Sequence, residues 1–160
     1  MEKENVRREY PLAPLVAVGV LLIEKKTKSV LLIRRGNPPG KGKYSIPGGL
    51  VEIGEKLIDA AKREVREEVS IECEIVGIIS VEEIIIKDKR GLTQWHYVLI
   101  DFLGEPRSIK IKPSSDAQEA RWFHIEEAMK LDLTDATRRL LLKIRKYLLG
   151  EESNLMMIRI

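Results

Sequence analysis

Two periodicities share this chain: short apolar runs of strand length, and stripes that recur at helical spacing. Val16–Ile23 is continuous apolar sequence with one glycine, short and β-branched enough to be a buried strand. Glu24–Lys28 is a polar turn and Ser29–Arg34 a second strand. Gly36–Lys43 (GNPPGKGK) holds three glycines and two prolines, so it is a loop. Glu55–Val69 has neither Gly nor Pro and is rich in helix formers. Ile71–Lys87 is β-branched, with Gly77 a predicted bend or break. Asp88–Gly91 is a turn that joins it as a hairpin to a strand at Thr93–Leu103. Pro106–Ala120 reads as loop, with a short strand at Ile109–Ile111. Another short strand follows at Glu119–Phe123, and a short helix at Ile125–Leu131. The longer helix Thr134–Leu149 has Thr134 as its N-cap, and Leu140, Leu141, Ile144 and Leu148 recur at helical spacing. Strands dominate, with one central helix and a helical C-terminus. The class is α+β, a mixed sheet with helices on its faces.

Composition narrows this picture. At 160 residues the chain suits one domain, and 44% hydrophobic residues are enough for a core. We divide it into an arm at 1–14, where two prolines in PLAP disfavour regular structure, a domain at 15–150 and an apolar tail at 151–160. The tail's LMMIRI has no evident core position and suits a sheet edge or a second subunit, hence a homodimer. Charge is balanced, 28 Lys+Arg against 25 Asp+Glu, which argues against nucleic-acid binding by bulk charge. The longest apolar run is far short of a membrane helix, and the charged MEKENVRREY lacks the apolar region of a secretory signal. Cys73 is the one cysteine, which fits a reducing cytoplasm.

The chemistry concentrates in Pro47–Ile71, PGGLVEIGEKLIDAAKREVREEVSI. On a helix, Leu57, Ile58, Ala61, Val65 and Val69 fall within an arc of roughly 120°, a buried face. Glu64, Glu67 and Glu68 cluster, with Glu64 and Glu68 at the edge of that arc. Three carboxylates repel by a few tenths of a kcal/mol per pair even on an exposed helix. A cation resolves this cost, and hard oxygen donors suit Mg²⁺ sharing its shell with substrate phosphates. For REVREE alone, a solvated helix face is the simpler reading.

The stretch as a whole resembles the Nudix box, G-x5-E-x7-R-E-U-x-E-E-x-G-U with U aliphatic. It matches at Gly49, Glu55, Arg63, Glu64, Val65, Glu67, Glu68 and Ile71, and departs at Ser70, where the family has glycine. Serine at that helix end costs about 1 kcal/mol if φ is positive, and affects the turn rather than the carboxylates. The resemblance implies an α/β/α sandwich with a mixed sheet. It also implies hydrolysis of a nucleoside diphosphate linked to a further group X, with Mg²⁺ or substituting Mn²⁺. Carried over, the metal ligands are Glu64, Glu67, Glu68 and the Gly48 carbonyl. Arg63 orients a carboxylate, and Gly49 and Glu55 support the loop–helix junction. The general base is Glu119, expected on a loop, with Glu67 the alternative and Asp116 a weaker one.

LLIRRGNPPGKGKYSIPGG, HYVLIDFLG, DAQEARW and LDLTDATRRL extend the resemblance to a small ADP-ribose pyrophosphatase-like group. The proline that marks many ADP-ribose hydrolases past the box is absent: Ile86 stands there, and no proline occurs between Ile71 and Glu105. Three functions stay open: a pyrophosphohydrolase of ADP-ribose or a related nucleotide sugar, a nucleoside triphosphate pyrophosphohydrolase, and an idle nucleotide-binding domain. The intact glutamates weigh against the last. Arg34 and Arg35 reach a phosphate or are strand-end surface charge. Trp95 and Tyr97 alternate along one strand face, where they stack on a base or pack on each other.

Overall fold

A computed structural model describes residues 6–112 and 117–160. In chain order the elements are β1 (Leu15–Glu24), β2 (Ser29–Arg35), β3 (Tyr44–Ser45), β4 (Gly48–Leu50), α1 (Leu57–Val69), β5 (Cys73–Lys87), β6 (Thr93–Pro106), β7 (Ala117–His124), α2 (Ile125–Ala128), α3 (Asp135–Leu148) and β8 (Ile158–Arg159). The sheet runs β3-β2-β1-β6-β5-β8, with β4 added to β1 and β7 to β2. β1 is parallel to β6 and antiparallel to β2 and β4, so the sheet is mixed.

Alternation along the strands sends side chains to two cores. Val18, Val20, Leu22, Leu31, Ile33 and Phe102 pack under α1. Leu21, Ile23, Val30, Leu32, Leu103 and Phe123 pack on the opposite face, with the buried side of α3. This is the expected α/β/α sandwich. No described helix is long and apolar enough to cross a membrane.

α1 starts at Leu57, two residues later than expected, because Lys56 is still extended at φ −76° and ψ 147°. Its buried line is Ala60, Ala61, Val65 and Val69, whereas Ile58, expected inside, is 37% exposed. Ile58 shares the helical face of Val65 and Val69 but stands in the first turn, where the cover over that face is incomplete. The helix ends on Ser70 at φ 58° and ψ 34°, the left-handed conformation for which the box position favours glycine. At the other long helix, the Thr134 hydroxyl accepts from the Thr137 N–H at 3.3 Å, as expected of an N-cap.

Gly77 does not break β5, which continues through it with small register shifts. It is small because the tail arrives there: a β-carbon at Gly77 would stand 2.6 Å from the Ile158 carbonyl oxygen. β8 pairs antiparallel with Gly77 and Ile78, so the apolar tail finds a sheet edge of its own chain. Ile109–Ile111 forms no strand, although Ile111 packs on the α1-side core. α2 is shorter than expected, ending at Ala128.

Candidate active site

Two glycines set the position of α1's carboxylates. β4 lies against β1 with Gly48 opposite Gly19, and a β-carbon at Gly48 would stand 2.2 Å from the Val18 carbonyl oxygen. At Gly49 the obstruction is the Glu64 carboxylate itself, whose oxygens lie 2.4 and 2.6 Å from where a β-carbon would be. One turn later, Glu68 accepts the Gly48 N–H at 3.0 Å. A residue in an antiparallel strand presents its N–H and C=O to the same side, so the Gly48 carbonyl leaves toward Glu68 as well. The approach to α1 is thus strand at Gly48–Leu50 and not loop alone.

Arg63 ties the junction together. Its Nε and Nη2 donate side by side to the two Glu55 carboxylate oxygens, at 2.7 and 2.9 Å, and Nη2 also donates to the Leu50 carbonyl at 3.0 Å. A further N–H reaches Glu64 at 2.6 Å, with Glu67 more distant at 3.4 Å. The hydrogen bond from Arg63 lowers the Glu55 carboxyl below its ordinary range. Glu64, whose side chain is only 13% exposed, moves the other way: burial raises it, and Arg63 offsets part of the rise. Glu67 is the outlying member at 53% exposure. The expected convergence of all three glutamates does not occur, because the helix turns Glu67 outward while Glu64 and Glu68 flank β4.

Of the two arginines that end β2, only Arg35 belongs to this neighbourhood. Its Nε is held by the Pro39 carbonyl at 2.9 Å; burial lowers its guanidinium, and the Glu68 carboxylate opposes the shift. Arg34 donates to the Gly42 carbonyl and lies opposite Glu119 on β7. Trp95 and Tyr97 stack on each other, with centroids 6.4 Å apart and planes 13° from parallel. Burial raises the Tyr97 hydroxyl, and the nearby charges of Arg8 and Arg35 pull it back.

Glu119 lies inside β7, in keeping with the strand predicted at Glu119–Phe123 and not on the loop expected of a general base. Ala120 and Trp122 pack on the α1-side core and Phe123 on the other, so alternation directs Glu119 away from α1. There it accepts the Tyr44 hydroxyl at 2.8 Å. The structure therefore does not bring Glu119 to Glu64 and Glu68. Asp116 lies outside the described residues. The sequence reading missed Arg8, which bears on Tyr97, Arg35 and Glu64 from the N-terminal arm. No local signal announced it, since an arm without periodicity gives no docking position.

The donors suit a hard divalent cation. Glu64 seated over Gly49 and Glu68 bonded to the Gly48 N–H place two carboxylates along β4, beside a backbone carbonyl. Among the described residues no three acidic, histidine or cysteine side chains form a complete cage. A cation such as Mg²⁺ binds through one or two carboxylates and completes its shell with water and substrate phosphates.

Comparison with known proteins places these features. The family model described as NUDIX domain matches residues 13–144. An ADP-ribose pyrophosphatase of Methanocaldococcus jannaschii is 33% identical over 129 residues, which cover 81% of this chain and 74% of that protein. The 8-oxo-dGDP phosphatase NUDT18 of Mus musculus is 34% identical over 112 residues, covering 68% of this chain but only 31% of that longer protein. Among solved structures, a MutT NUDIX hydrolase from Burkholderia pseudomallei superposes with a TM-score of 0.71 at 27% identity. That match covers 82% of this chain and 98% of the other.

Proposed function

The chain belongs to the Nudix family of pyrophosphohydrolases, and we propose that it hydrolyses ADP-ribose or a related nucleoside diphosphate derivative to a nucleoside monophosphate and the phosphorylated X group. The observation that carries the reading is the joint seat of Glu64 on Gly49 and Glu68 on Gly48, braced by Arg63. The 33% identity to an ADP-ribose pyrophosphatase supports the substrate class.

Nudix hydrolases use divalent metal ions, and here Glu64, Glu68 and the Gly48 carbonyl would hold Mg²⁺, with Mn²⁺ as substitute. Bound there it supplies charge neutralisation on the diphosphate and a more acidic water. The chain's own groups do the rest. Arg63 fixes the Glu64 carboxylate. Arg35 faces the phosphates, and the Trp95 and Tyr97 rings offer an aromatic face to the base. Glu67 accepts the proton of the attacking water, because it is the most exposed of the three glutamates and, among the described residues, makes only the long contact to Arg63.

A substrate panel with Mg²⁺, scored by product identity and repeated with chelator, tests this reading. ADP-ribose should yield AMP and ribose 5-phosphate, and chelator should abolish turnover. Release of pyrophosphate from nucleoside triphosphates, with ADP-ribose untouched, would replace it with the nucleotide-pool reading.

A further inference from the structure

β5 has 15 residues, and its two sides are used unequally. On one side β6 pairs with it from Cys73 to Lys87. On the other, β8 pairs only at Gly77 and Ile78. From Val81 to Lys87 that outer edge has no strand beside it among the described residues. The register shifts at Ile75/Gly77 and Ile78/Ser80 fall beside β8, and the ladder then runs regularly from Ser80 to Ile86. The open stretch is therefore regular strand, and its outward N–H and C=O groups are a template for a further strand.

Its side chains are apolar for an edge. The run VEEIIIK holds three successive isoleucines, and Val81, Ile85 and Ile86 are 62%, 48% and 37% exposed. Charged residues on an edge strand ordinarily keep other strands away. Here they are spaced to answer one another across a two-fold axis, the symmetry of an antiparallel pair of identical strands. With the axis at Ile85, Glu83 stands opposite the partner's Lys87, and Lys87 opposite the partner's Glu83. Ile85 then meets the partner's Ile85, and Ile84 the partner's Ile86. An axis at Ile84 would instead set Glu82, Glu83 and Lys87 each opposite an apolar residue.

We propose that two copies of this chain associate through the outer edge of β5, antiparallel about a two-fold axis at Ile85, to form one continuous sheet. The homodimer expected from the sequence is then held by β5, while the apolar tail closes the first part of the same edge within its own chain. Ile84 and Ile86 lie opposite Tyr97 and Trp95 on β6, so the partner's isoleucines extend the sheet face that carries the aromatic pair.

Sedimentation equilibrium of the full chain over a wide concentration range tests this, and should show a monomer–dimer equilibrium. Ile85→Lys sets two like charges at the axis and should raise the dissociation constant by about tenfold or more. Glu83→Lys alone and Lys87→Glu alone should each raise it by about tenfold. The double exchange, Glu83→Lys with Lys87→Glu, should return it to within about threefold of wild type. Circular dichroism melts of the dilute monomers should match wild type for every variant, which separates association from folding. A chain that is monomeric at every concentration overturns the proposal. A dimer indifferent to Ile85→Lys overturns it as well, since another surface must then hold the copies together. Single charge variants that the double exchange does not rescue overturn the axis at Ile85 and the pairing built on it.

Discussion

The carboxylate of Glu64 occupies the place where the β-carbon of any residue but glycine at position 49 would stand. A glycine in the strand thereby positions an acid on the helix, although fifteen residues separate them. The neighbouring glycine has a different neighbour, the Val18 backbone carbonyl.

The two glycines should therefore fail differently. In Gly49→Ala the obstruction is the far end of a flexible side chain, so the fold adapts and Glu64 moves. We expect a melting temperature within a few degrees of wild type and kcat lowered by about 10²-fold, as misplacement of a site group by about 1 Å implies. In Gly48→Ala the obstruction is backbone, and the β1–β4 pairing must open at a cost of about 3 kcal/mol or more. Circular dichroism melts with kcat for both variants check this; equal melting losses would refute it.

Much of this site was legible because the box residues sit at fixed helical offsets. Arg63 and Glu55 are eight residues apart across a helix start, and Ser70 falls where a helix must end with positive φ. What escaped depends on tertiary packing. Ile58 belongs to an apolar arc by periodicity, yet in the first turn it is left partly uncovered while Val65 and Val69 on the same face are buried. The face of Glu119 follows from the register of β7 on β2, which places it beside Tyr44. The docking of the arm depends on the bend at Tyr10 and on partners on a hairpin some eighty residues away.

Asp101 should make stability depend on pH. It is 1% exposed, its Oδ1 has no partner among the described residues, and burial, with Glu82 nearby, pushes its carboxyl up to about 7 from 3.8. A raised carboxyl means that between about pH 4 and pH 7 the folded state holds the proton the unfolded chain has released. Stability due to this group is thus present below pH 4 and lost as pH rises to about 7. Asp101→Asn should gain about 1–3 kcal/mol at pH 8 and nothing at pH 4, read from denaturant unfolding at both. A gain independent of pH would show that the carboxyl titrates normally.

The tail is expected to stabilise the monomer. β8 pairs with Gly77 and Ile78, and Leu155 and Met157 pack against the α3-side core. Deleting residues 152–160 should lower stability by about 2–3 kcal/mol, since partly buried apolar side chains are exposed. Light scattering should return an unchanged mass. A mass that halves on deletion would instead make the tail a dimer contact.

The base assignment turns on which glutamate keeps an oxygen available for a proton. Glu64 is engaged by Arg63 at 2.6 Å and wedged over Gly49, and Glu68 accepts the Gly48 N–H. Glu119 is bonded to the Tyr44 hydroxyl on the sheet face away from α1. Glu67 shares the helix with both engaged glutamates but is half exposed, with the 3.4 Å contact to Arg63 its one partner among the described residues. General-base removal typically costs 10²–10⁴-fold in rate, so about that loss in kcat is expected for Glu67→Gln with KM little changed. Glu119→Gln keeps an oxygen to accept the Tyr44 hydroxyl and should turn over within about threefold of wild type, with at most a small change in stability. Steady-state kinetics of the two variants on ADP-ribose separate the assignments. A dead Glu119→Gln beside an active Glu67→Gln would mean that β7 rearranges when substrate binds, bringing its carboxylate round to the α1 face.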